Sequence, residues 1–312
     1  MWFGLIVLLV FAVWAFTGYD FALVVSSLAS ADWRWICVGV GLNVLLLYLR
    51  VYKWRFFNSA FRDFSYFNMS LAAFAAYTCN MVVPAKVGAF VQAWLLSQKE
   101  PIPASTVLST LVLVRVMDGV SLTFVGVLVF NFVEVSSEQS SIWDAYKTAG
   151  VLLASFLFFV IVFLFWLGRY PSARIVFERF VRFFLPTRFK ASGGKVVNSL
   201  WEGFAVLNHG GSLGIIAFLS FVFWGVAATM VFVYLKAFYV IDVPMYLPLC
   251  IILAQAVGFM IPSPGYVGPF HAATVTALSF FDISGELALS IAIMMHAALF
   301  VTNSLPGIIY LW

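Results

Sequence analysis

The chain of 312 residues is 64% apolar and 19% aromatic with only 10% charged residues, more hydrophobic surface than one water-soluble core absorbs. This excludes a soluble enzyme, a disordered tail and a nucleic-acid-binding module, and leaves an all-α polytopic membrane protein, because a spanning helix takes about 20 mostly apolar residues. Seventeen Lys and Arg against 13 Asp and Glu point such a chain toward anionic lipid head groups.

Residues 1 to 16 are apolar without a basic start or a small-residue cleavage site, and read as a retained first helix. Further apolar runs cover 33 to 57, 68 to 98, 104 to 132, 147 to 168, 213 to 238, 245 to 281 and 286 to 312. Cys37, Cys79 and Cys250 lie in or beside these runs without metal-ligand spacing and read as packing residues. Two runs are broken, at Asn80-Met-Val-Val-Pro84 and at Pro262-Ser-Pro-Gly265, sequences that stop a helix and free backbone polar groups. Both breaks lead into the pattern P-x-x-V-G-x-F, at Pro84 to Phe90 and at Pro264 to Phe270. Transporter folds made of repeats place their binding site at such interruptions.

Basic residues decide the topology, since short cytoplasmic loops are enriched in them. With re-entrant hairpins at about 68–98 and 245–281 and six spanning helices, the basic clusters around Arg50 to Arg62 and Arg169 to Lys195 fall on one side. That side is the cytoplasmic one, and both termini lie on it. A full crossing by the first broken run would put the two clusters on opposite sides. Three spanning helices between the hairpins make them enter from opposite faces, as an inverted repeat within one membrane domain, 1–312. Irregular backbone at that depth must be buried or line a wet cavity. The segment 169–203 mixes arginines with phenylalanines and reads either as an interfacial helix or as a plain basic loop.

Ionisable groups at membrane depth are costly, so each is a functional candidate. Lys86 sits at the first break, Arg115 and Asp118 lie within the 104 to 132 run, and His271 and His296 follow the second break. Arg115 and Asp118 are three apart and can pair on one helix face, as a stabilising ion pair or as part of a site. Lys86 with Arg115 and Asp118 leaves net positive charge, and the partly positive starts of the second half-helices add to it. An anionic group such as a lipid phosphate would be held by Lys86, backbone N–H groups and Arg115, with Gly88 and Gly268 permitting close approach or close helix packing. His271 reads as a donor to that phosphate or as a neutral core histidine. His296 and Asn303 share a side of the last helix, which Pro306-Gly307 is placed to kink. The hydroxyls of Ser105, Thr106, Ser109 and Thr110 receive no role.

Together, Asn80…Pro84-x-Lys86-x-Gly88, Arg115-x-x-Asp118, Pro262-Ser-Pro-Gly265-Tyr-Val-Gly268 and His296…Asn303-x-x-Pro306-Gly307 resemble the membrane region of lysylphosphatidylglycerol synthases and their stand-alone flippase-like relatives. The resemblance implies a bacterial or archaeal cytoplasmic-membrane domain with two re-entrant hairpins. In the synthases this domain moves aminoacylated phospholipid between leaflets. It also implies phospholipids or polyprenyl-phosphate-linked sugars as cargo. Many members carry glutamates where this chain has Ala89 and His271, and arginine where it has Lys86, which favours a simple anionic lipid over a cationic head group. The site set is then Asn80, Pro84, Lys86, Gly88, Arg115, Asp118, Pro264, Gly265, Gly268 and His271. The leading expectation is a lipid flippase without cofactor or metal. Competing expectations are a scaffold for a cytoplasmic lipid or glycan synthase, a small-anion carrier, and a lipid-phosphate enzyme, which Asp118 as the one deep carboxylate disfavours.

Overall fold

The computed structural model describes residues 17–58, 63–83, 87–132 and 210–311, with scattered positions between 6 and 14 and between 144 and 179. The described residues are helical, with no strand among them. The expected first helix falls mostly, and the 147 to 168 run partly, outside them, as do Pro84, Lys86 and most of the 169–203 segment.

Chain order begins with α1 (Phe21–Ser30), α2 (Trp33–Asn58), α3 (Tyr66–Val82), α4 (Gly88–Lys99) and α5 (Ala104–Phe132). It resumes with α6 (Gly210–Ala237), α7 (Leu247–Gly258), a 3₁₀ turn (Pro264–Tyr266), α8 (Pro269–Ser279) and α9 (Gly285–Leu311). Four of these, α2, α5, α6 and α9, contain apolar stretches of 24 to 26 residues. At 1.5 Å per residue these stretches are about 36 Å or longer, enough for a hydrocarbon core of about 30 Å with some tilt. The helix α1 was not expected. Its ten residues are too short to span, and its start is capped by Asp20, whose Oδ1 accepts from Ala22 N–H at 2.8 Å.

Both broken runs form helical pairs. Helices α3 and α4, of 17 and 12 residues, pack on each other, and so do α7 and α8, of 12 and 11 residues. A 12-residue helix reaches only about 18 Å, so α4, α7 and α8 cannot each cross the bilayer alone. The first break comes slightly later than expected, since α3 runs to Val82.

The buried side chains form two main clusters. One joins α2, α3, α4 and α5 around Trp54, Phe74, Leu96 and Leu113, and the other joins α6, α7, α8 and α9 around Tyr234, Leu247, Leu278 and Leu289. The two halves are tied by α2 against α6, by α3 against α9 and by the 3₁₀ turn against α3.

The α3–α9 approach depends on small residues. A Cβ on Gly307 would overlap Thr78 Oγ1 and would stand 2.7 Å from the Phe74 carbonyl oxygen. The Thr78 hydroxyl meets the Asn303 and Ser304 carbonyl oxygens at 3.0 and 3.1 Å, beside Pro306, which has no N–H to continue the helix ladder. Gly307→Leu should therefore force the helices apart. Overpacking of this kind costs about 1–3 kcal/mol, and a fall of several degrees in the unfolding midpoint in detergent checks it. An unchanged midpoint would contradict the close approach.

Candidate functional site

Between the two halves lies a cavity of about 370 Å³ with walls from α2, α3, α4, α5, α6, α9 and the second break. Its cationic residues are Arg50 on α2 and Arg115 on α5, both with accessible side chains. The Arg50 guanidinium stands 5.6 Å from the Tyr77 ring centre and 5.0 Å from that of Phe223, within the range of cation–π attraction. Among the described residues, neither arginine has a carboxylate within ion-pair distance.

Asp118 also lines the cavity, but its charge is committed elsewhere. Lys53 of α2, 2% exposed, donates to Asp118 Oδ1 and lies 3.3 Å from Ser220 Oγ of α6. Ser220 Oγ donates to the same carboxylate oxygen at 3.0 Å, and Trp224 Nε1 donates to the Asp118 backbone oxygen at 3.1 Å. This corrects the expected Arg115–Asp118 pair. Two charges three apart on a helix gain only tenths of a kcal/mol from pairing, whereas a buried ammonium left without a counter-charge costs several. The carboxylate therefore satisfies Lys53, and among the described residues both arginines at the cavity wall are left without an ion-pair partner.

The two breaks meet here. Gly265 adopts φ +56°, and a Cβ on it would stand 3.2 Å from the Met81 carbonyl oxygen at the end of α3. Gly268 adopts φ +97°, a conformation open to glycine. Tyr266, between them, also has a positive φ of 62°. A non-glycine residue held this way costs on the order of 1–3 kcal/mol, and the turn brings Tyr266 to the cavity wall.

The other expected site residues divide sharply. Asn80 lines the cavity and also closes the first break, its Oδ1 accepting from Gly88 N–H at 2.8 Å. Gly88 is buried, and a Cβ there would overlap the Ala76 carbonyl oxygen, so it serves the tight α3–α4 packing. Pro84 and Lys86 lie outside the described residues. Pro264, Gly265 and Gly268 shape the second break without lining the cavity. His271 does not face it either. This buried ring lies 4.9 Å from Phe11 and 4.7 Å from His296, and its Nδ1 accepts from Gly268 N–H at 3.4 Å. His296 Nε2 donates to the Gly265 carbonyl oxygen at 2.7 Å. The histidines therefore fasten the second break. Because Asn80 and His271 take the Gly88 and Gly268 N–H groups, these two amides are not offered to a ligand. Among the described residues, the positive charge at the cavity comes from the guanidinium groups of Arg50 and Arg115.

Sequence reasoning passed over Arg50, counted as a loop charge, and Lys53, Ser220, Trp224 and Tyr266. The usable signal was that Arg50 and Lys53 fall inside an apolar run of helical length, where charge needs a partner or a cavity. Thr110 also gains a role, accepting from Trp54 Nε1 at 3.1 Å to join α5 to α2.

A second cavity, about 200 Å³, shares Arg50, Trp224, Phe259, Leu299 and Asn303 with the first. Its other walls include Phe223, Ala227, Met230, Ile252 and Met295. Two of the polar residues there are engaged, Asn43 Nδ2 donating to Tyr234 Oη and Gln255 Nε2 to Thr274 Oγ1, each at 3.0 Å. A chamber lined by Arg50, Arg115 and Asp118 thus adjoins a mainly apolar one, with Arg50 at the wall of both.

These features define a multi-pass helical membrane protein with a cationic cavity between two broken helical pairs. The model of the family described as the lysylphosphatidylglycerol synthase TM region matches residues 1–307, and the chain belongs to that family. Its members are membrane proteins related to lipid metabolism or transport. No curated protein and no solved structure matches the chain.

Removing one partner of a buried ion pair leaves the other charge stranded, at a cost of about 3–5 kcal/mol. Asp118→Leu should lower the detergent unfolding midpoint by many degrees, and Lys53→Met/Asp118→Leu should recover most of the loss. A double variant no more stable than the single would show that the two residues do not act as a pair.

Proposed function

We propose that this protein is a lipid flippase that carries an anionic amphiphile, a phospholipid or a polyprenyl-phosphate-linked sugar, between the leaflets of a cytoplasmic membrane. The observation that carries this reading is the pair of accessible arginines, Arg50 and Arg115, in a cavity whose lining carboxylate is already held by Lys53. A phosphate entering the bilayer loses its hydration, and guanidinium groups replace it with short, charge-assisted and often bidentate hydrogen bonds. Asn80, Gln92 and Tyr266 add polar wall, and Trp54 and Trp224 add amphipathic rings. The adjoining, mainly apolar chamber favours an amphiphile over a small inorganic anion, since Phe223, Ala227, Met230, Ile252 and Met295 offer a hydrocarbon chain a wall beside the head-group site.

In this reading α3–α4 and α7–α8 are re-entrant hairpins entering from opposite faces, an inverted repeat whose breaks meet at Met81 and Gly265. Their displacement against the long helices would open the head-group cavity to one leaflet and then the other. Both termini are cytoplasmic, following the basic loops. The chemistry is transport without bond cleavage, because Asp118 is occupied as a counter-ion rather than placed as a base or nucleophile.

Leaflet exchange of fluorescent phosphatidylglycerol in proteoliposomes tests the proposal. Removing a charged partner from a phosphate typically costs about 1.5–3 kcal/mol, so Arg115→Ala or Arg50→Ala should slow exchange about tenfold or more. Wild-type rates no faster than empty vesicles, or rates indifferent to both substitutions, would overturn it.

A further inference from the structure

Lys53 does not line the head-group cavity, yet it governs the charge that the cavity presents. Asp118 stands at the wall, three residues after Arg115 on the same helix, with its side chain 17% exposed. Without a competing partner, that carboxylate would neutralise Arg115 or offer itself to an ammonium group on the ligand. Lys53, 2% exposed, prevents both by holding the carboxylate from the α2 side, and Ser220 donates to the same oxygen from α6. Among the described residues, the other charged residues of the wall are Arg50 and Arg115.

We infer that Lys53 is a specificity-determining positioning residue: by balancing the Asp118 charge at the cavity wall it makes the site select head groups with net negative charge and reject those carrying an ammonium. Specificity of this kind works as much by repulsion as by attraction. The two guanidinium groups penalise an ammonium brought among them, and the one carboxylate of the described wall, Asp118, already has its charge balanced by Lys53. Removing the Lys53 charge leaves Asp118 as an unbalanced carboxylate at the wall, so the site loses anion affinity and gains tolerance of ammonium head groups. Removing both charges restores the original sign.

The inference rests on the proposed head-group site, and competition binding separates the two. Detergent-solubilised protein is presented with equal amounts of phosphatidylglycerol, zwitterionic phosphatidylethanolamine and a cationic lysine-esterified phosphatidylglycerol, and the bound lipid is read by native mass spectrometry. Wild type should retain phosphatidylglycerol about tenfold or more over either ammonium lipid. Lys53→Gln, which keeps a donor for Asp118 but drops the charge, should reduce that ratio at least threefold, and Lys53→Gln/Asp118→Asn should return it to the wild-type value. Lys53→Met/Asp118→Leu, which removes the pair without stranding a charge, gives the same readout if Lys53→Gln is not monodisperse, with the wild-type ratio expected. Retention of phosphatidylglycerol without discrimination overturns the inference and leaves the head-group site standing. So does a Lys53→Gln ratio equal to wild type, or either double variant departing from it. No retention of any of the three lipids overturns the head-group site itself.

Discussion

A lysine buried within a membrane helix is the constraint around which the rest of the molecule is arranged. Lys53 lies within the apolar span Trp33–Phe56 of α2, 2% exposed, where an ammonium without a counter-charge is costly. Asp118 compensates it from α5, Ser220 donates to the same oxygen from α6, and Trp224 fixes the Asp118 backbone. One cluster therefore ties three long helices at one level. It also decides what Arg115 can do, since the carboxylate nearest to it along its own helix is no longer available.

The division of labour between long and short helices follows from that. The long helices α2 and α5 supply the charge of the cavity, through Arg50 and Arg115, whereas the broken pairs supply shape and polar wall. Asn80 closes the first break while facing the cavity, and the strained turn at Gly265 to Gly268 presents Tyr266. His271 and His296 stabilise that turn from behind, in a stack with Phe270 and Phe11. Polar residues around the breaks thus satisfy backbone groups that an interrupted helix leaves open, a requirement that lipid makes strict.

What could be read from the sequence divides along the same line. The spans α2, α5, α6 and α9 were legible because length and apolarity are local properties; the expected 33 to 57 run ends within one residue of α2. The breaks were legible because Pro and Gly interrupt otherwise continuous runs, and the family resemblance rested on these motifs. Charge partners were not legible. Spacing along one helix suggested Arg115 with Asp118, but Asp118 is bound 65 residues away to Lys53 and 102 residues away to Ser220. Arg50 looked like a cytoplasmic loop charge because it precedes Lys53, Arg55 and Arg62, yet it falls within the span of α2 and lines the cavity. The glycines read as ligand-facing serve packing and turns, since the P-x-x-V-G-x-F pattern does not say which side of the backbone is crowded.

The most direct test of this account is a cryo-electron microscopy map of the protein in nanodiscs containing phosphatidylglycerol. The account predicts a phosphate-sized density within hydrogen-bonding distance of both the Arg50 and Arg115 guanidinium groups, with Asp118 still held by Lys53. An empty cavity in which Asp118 has turned to Arg115 would contradict it.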